Sequence, residues 1–256
     1  PVKAPLHDAA RALQFVRRQS EQWNLDKQRV GAAGGSAGAS SSLWIAFHED
    51  LAESDSDDPV ARESTRLWCA AVTGAQTTLD PKQMKAWTPN SRYGGHAFGF
   101  GNFAKFEAGR ESILPLIAGY SPYALVSSDD PKIYLTYSRP PAIGQEQKDP
   151  THTSNFGVKL QEHCSANGVD CELVYPGAPD VTASSFDNDL VHNEKELFQA
   201  EILDHTEFFL HLRDGGWPAI GGIADSNGLV AKPAQIVAGR RVRGKRSRRR
   251  RNGLGE

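Results

Sequence analysis

The sequence has no run approaching the ~18 apolar residues that a membrane-spanning helix needs, and no apolar region of the signal-peptide kind at its N-terminus. Cysteine is scarce: Cys69, Cys164 and Cys171 are the three in 256 residues. Three are too few for a disulfide framework, and none of them forms a C-x-x-C pair of the zinc-binding kind. A Cys164–Cys171 bridge stays open beside the plainer reading of two thiols. No lysine falls between Lys27 and Lys82, so the glycine-rich stretch between them cannot be a phosphate loop of the form G-x-x-x-x-G-K-[ST]. Nor is it a clear dinucleotide fingerprint. Its glycines fall at 31, 34, 35 and 38, which is not G-x-G-x-x-G, and the acidic loop Glu53–Pro59 follows where a second apolar strand would be needed. Neither a metal nor an organic cofactor is therefore expected.

What is present in that stretch is Gly34-Gly35-Ser36-Ala37-Gly38, which meets the pattern G-x-S-x-G. A serine becomes a useful nucleophile on a sharp strand-to-helix turn, because the turn pushes its hydroxyl out toward a base and a reacting carbonyl. Such a turn crowds the residues two before and two after the serine, which is why both tend to be glycine. Ser36 is the candidate nucleophile. A dinucleotide-type turn and a set of packing glycines are the rival readings.

The net charge of −2 conceals a segregation. Nine of the 29 Lys and Arg residues lie in Arg240–Arg251, while all but one of the 31 acidic residues precede that block. A like-charge block interspersed with glycine cannot pack a core. Residues 214–256 are therefore expected to be a disordered Gly/Arg-rich tail, solvated rather than a nucleic-acid-binding arm. A shifted reading frame would also give such an end.

Along the chain, apolar positions 9, 12, 13 and 16 recur at helical spacing and predict a helix that begins near Leu6 and ends near Asn24. A short buried strand over 27–33 then feeds the turn, and a helix over 39–51 leaves it with its positive end toward Ser36. A helical turn is expected at 59–65 and a strand at 66–74. Residues 78–120 read as an aromatic, glycine-rich, cap-like insertion with a helix from Phe103 to Leu114 stopped by Pro115. Strands over 132–138 and 171–175 flank a helix over 154–167. Alternating strands and helices predict a parallel sheet with helices on both faces, and a site at the strand C-termini.

These residues together resemble the α/β-hydrolase family in its esterase and lipase branch. The resemblance covers about residues 3–180 and rests on the Gly34–Gly38 turn, the Asp149-Pro150 loop with the helix after it, and the Leu173-Val174-Tyr175-Pro176-Gly177 strand end. It implies a partial α/β-hydrolase domain over 1–213, lacking the early strands and truncated relative to the family. The family's acid follows the strand after the cap region, which carries that role onto Asp149. Asp129 and Asp130 precede the strand, at the wrong edge. The backbone N–H of Ala37 is the implied oxyanion donor; the family's early His-Gly-Gly loop has no counterpart, and His96 follows the nucleophile and cannot stand in for it.

The family's base follows the last strand, where the next histidine here is His192. The order Ser36, Asp149, His192 is allowed. His152 lies on the acid's own loop and is expected to face solvent or to start the next helix. The expectation is thus His192 over His152, with a triad left incomplete and hydrolysis weak. The implied activity is carboxylic ester hydrolysis through an acyl-enzyme, on a small-molecule ester. The alternative is a hydrolase-like binding protein without catalysis.

Overall fold

The computed structural model describes residues 2–179 and the backbone of 235–240. Helix α1 (Lys3–Arg18) buries Leu6, Ala10, Leu13 and Val16, one stripe at helical spacing. Two polar side chains on the same helix are also buried, and each serves loop carbonyls. Gln14 Nε2 donates to Glu63 O at 2.8 Å and Ala61 O at 3.1 Å, and the Arg17 guanidinium donates to Lys27 O and Arg66 O. They tie the acidic loop and the first strand to α1, satisfying carbonyls that would otherwise be stranded.

Strand β1 (Leu25–Gly35) runs into helix α2 (Ala37–Phe47) with Ser36 between them. Leu43, Trp44, Ile45, Ala46 and Phe47 are all buried, so α2 is a core helix with no solvent face over that turn. The expected helical turn at 59–65 is instead a series of hydrogen-bonded turns. Asp58 accepts from Val60 N at 2.8 Å and pairs with Arg11, and these local bonds compete with a helix.

Strands β2 (Cys69–Thr73), β3 (Lys132–Thr136) and β4 (Cys171–Val174) lie beside β1 in chain order, all parallel. The register aligns Gly34, Val72, Leu135 and Leu173 across the sheet. The last three are almost fully buried, whereas Ala71, Tyr134 and Glu172 on the opposite face are half-buried. A Cβ at Gly34 would strike α2, and a Cβ at Gly157 in helix α7 (Ser154–Ala166) would strike Leu173. Both crossover helices therefore pack on one face. For these two helices this differs from the expectation of helices on both faces: strands added in one direction by right-handed crossovers place their helices on the same side.

The segment between β2 and β3 is helical: α3 (Pro81–Trp87), α4 (Phe103–Gly109), α5 (Leu114–Tyr120) and α6 (Pro122–Leu125). Asp80 caps α3 at Lys82 N, 2.8 Å, and takes a two-pronged pair from Arg110 at 2.7 and 2.6 Å. Phe98, Phe100 and Phe103 surround the buried Phe106. Pro115 does not stop the expected helix. It occupies the first turn of α5, where its missing N–H costs nothing, and a 3₁₀ turn at Arg110–Ile113 joins α4 to α5.

Strand β5 (Gln235–Arg240) pairs antiparallel with β1, giving the order β4-β3-β2-β1-β5. This differs from the expectation of a disordered tail from 214 onward, for these six residues. Ile236 and Val237 are β-branched, and the unpaired edge of β1 offers them a ladder. Among the described residues no helix is long and apolar enough to cross a membrane.

Candidate active site

The C-terminal ends of β1 and β3 converge on one constellation. Ser36 sits at φ 53°, ψ −117°, a conformation that non-glycine residues rarely adopt, and its N–H is held by Thr73 O at 3.0 Å. The turn closes tightly because a Cβ on Gly34 would lie 2.4 Å from the Gly38 carbonyl carbon. Gly34 is required by this close approach. Helix α2 begins at Ala37, so the Ala37 N–H is among the first-turn donors that have no partner within the helix. It lies beside Ser36, where the positive end of the helix favours developing negative charge.

Asp149 and His152 share the loop between β3 and α7. Asp149 Oδ1 accepts from Thr151 N at 3.2 Å and His152 N at 3.1 Å, which curls the loop into a tight turn. The curl returns the imidazole over the carboxylate, and His152 Nδ1 lies 2.9 Å from Asp149 Oδ2. The other ring nitrogen, Nε2, lies 2.8 Å from Ser36 Oγ. Burial works to raise the Asp149 pKa, but the hydrogen bonds from the His152 ring and from backbone N–H groups outweigh it and hold the carboxyl below its ordinary value. The carboxylate is thus ionised at neutral pH and fixes Nδ1 as the protonated nitrogen, leaving Nε2 to accept the serine proton.

This geometry corrects the expectation for His152. Its side chain is 35% exposed, yet both ring nitrogens are turned onto Ser36 and Asp149 rather than left to water, and it does not start the helix; Thr153 is the residue that caps α7, through Asn155 N. The expectation of an incomplete constellation differs from the structure as well, since His152 stands between Ser36 and Asp149. His192 lies outside the described residues. Ser36 and Asp149 stand where the sequence placed them, at the sheet's C-terminal edge. The missed signal was the three-residue spacing Asp149-Pro150-Thr151-His152, short enough for an aspartate-centred turn to bring ring and carboxylate together. Among the described residues no group of three or more His, Cys, Asp or Glu is placed to hold a metal ion.

The BD-FAE family model matches residues 1–161, well over half of the chain. The chain belongs to the BD-FAE family. Solved structures agree on an α/β-hydrolase fold. An acetyl ester-xyloside bifunctional hydrolase from Caldicellulosiruptor lactoaceticus is 22% identical with a TM-score of 0.50, over 77% of this chain and 65% of its own. Esterase 2 of Thermogutta terrifontis, phosphonylated by sarin, is 20% identical with a TM-score of 0.52, over 80% of this chain and 66% of its own. This BD-FAE member therefore spans just under two thirds of each of these two. No curated protein matches it.

Proposed function

We propose that this BD-FAE member is a serine hydrolase of small carboxylic esters, with Ser36 as nucleophile, His152 as base and Asp149 as the acid that orients it. The observation that carries the reading is the continuous chain Ser36 Oγ to His152 Nε2 at 2.8 Å and His152 Nδ1 to Asp149 Oδ2 at 2.9 Å. Ser36 Oγ attacks the ester carbonyl while Nε2 takes its proton, and the tetrahedral oxyanion forms against the Ala37 N–H. The imidazolium then returns the proton to the leaving alcohol, giving an acyl-enzyme. Water, deprotonated by the same nitrogen, attacks the acyl carbon; the bond from Ser36 Oγ to that carbon then breaks, the imidazolium returns the proton to Ser36 Oγ, and the carboxylic acid is released. Asp149 stays ionised and stabilises the imidazolium. The family membership and the fold shared with solved esterases support ester substrates; neither names the acyl or alcohol group.

The test is hydrolysis of short-chain nitrophenyl esters by the full chain and by Ser36→Ala. Hydrolysis by the wild type that falls to background in Ser36→Ala is the expected result. Background rates in both would favour the binding-protein alternative, and equal rates above background would place the chemistry on another residue.

A further inference from the structure

Gln76 lies two residues beyond the left-handed glycine that follows β2, and its side chain is fully buried. Its amide nitrogen donates to Gly74 O at 3.1 Å and to Thr151 O at 3.0 Å. Its amide oxygen faces Ser40 Oγ at 3.2 Å, and that hydroxyl also donates to Gln76 O at 2.9 Å and accepts from Gln76 N at 3.2 Å. Ser40 stands one turn along α2 from the nucleophile, and its N–H donates to Ser36 O at 3.0 Å.

Each of these partners borders the site. Thr151 immediately precedes His152. Gly74, at φ +60°, is the surface on which the imidazole rests, since a Cβ there would lie 3.5 and 3.6 Å from His152 Cβ and Cδ2. Two carbonyls converge on one buried point, and an NH₂ group is the side-chain donor that can satisfy both. An apolar residue of the same size would leave them unpaired, and a carboxylate would repel them.

From this we infer that Gln76 is a positioning residue: it locks the His152 loop to the Ser36 helix and so sets the distance between base and nucleophile. It touches no reacting atom. The inference rests on the serine-hydrolase reading for its kinetic consequence, but the placement of the ring has a readout of its own. A histidine whose Nδ1–H is held by a carboxylate gives a resolved low-field proton resonance. Loosening the loop exposes that proton to exchange.

The experiment uses the full chain with Gln76→Met, which keeps the length and removes the amide, and Ser40→Ala as a milder variant that severs the helix side of the link. Folding is checked by cooperative thermal unfolding. In folded Gln76→Met, kcat for a nitrophenyl ester is expected to fall on the order of 10²-fold with KM little changed, as for a misplaced base. The low-field His152 proton, present in the wild type, is expected to vanish. Ser40→Ala shifts both in the same sense by less. Wild-type kcat with an intact resonance in folded Gln76→Met, or in Ser40→Ala if the first variant does not fold, overturns the inference. Absence of the resonance from the wild type overturns it too. Absence of Ser36-dependent hydrolysis overturns instead the hydrolase reading, and the resonance alone then decides the role of Gln76.

Discussion

His152 is the residue on which the account turns, because it is the side chain that links the strained serine to an ionised carboxylate. General-base assistance contributes about 10²–10⁴ in rate. His152→Ala is therefore expected to lower kcat for nitrophenyl esters by that factor, measured in steady state, while His192→Ala causes no comparable loss. The reverse ranking would return the base to the position first expected from the sequence. Ser36 was legible because a strained turn imposes glycine at fixed offsets, and Gly34 meets Gly38 as that rule demands. Asp149 came from the family resemblance, which puts an acid after the strand beyond the cap region. His152 was not, because its role depends on how three residues curl around one carboxylate, and a loop conformation of that kind leaves no periodic trace in sequence.

At the scale of elements, the sheet holds the site by bringing α7 unusually close. Gly157 has no side chain because Tyr137 and Leu173 occupy the space: an added Cβ would lie 2.4 Å from the tyrosine ring and 2.7 Å from Leu173 Cδ1. The Tyr137 hydroxyl donates to Ala75 O at 2.8 Å, so the ring is not free to yield. Gly157→Ala is expected to destabilise the fold by about 1–3 kcal/mol, read from denaturant unfolding. The N-terminus of the same helix is fastened to the insertion. Asn155 Nδ2 donates to Trp87 O at 2.8 Å and to Thr88 Oγ1 at 2.9 Å, and Oδ1 accepts from Ala142 N at 2.8 Å. The strands read from periodicity fell within a few residues of their observed ends, whereas the first helix ends at Arg18 rather than near Asn24 and α4 at Gly109 rather than Leu114; what periodicity could not show was which face each helix would take. That follows from strand order, which sequence pattern alone does not give.

For the whole molecule, acid should be the effective denaturant. Asp50, Asp80 and Asp149 all have carboxyl pKa values below the ordinary 3.8: burial opposes this in each, and hydrogen bonds outweigh it, from Ser64 and backbone N–H groups at Asp50, Arg110 at Asp80 and His152 at Asp149. A carboxyl depressed in the folded state contributes stability that is complete above its unfolded pKa and is lost as pH falls through the folded value. Asp130, raised by burial, acts in the opposite sense. The unfolding temperature is thus expected to hold near neutrality and drop below about pH 4, with Asp80→Asn showing a shallower drop. The central claim concerns the intact chain, and fluorophosphonate labelling followed by peptide mass spectrometry tests it most directly. The account predicts a single modified serine, Ser36, with no labelling in Ser36→Ala and slow labelling in His152→Ala. Labelling at another serine, or equal labelling in all three proteins, would contradict it.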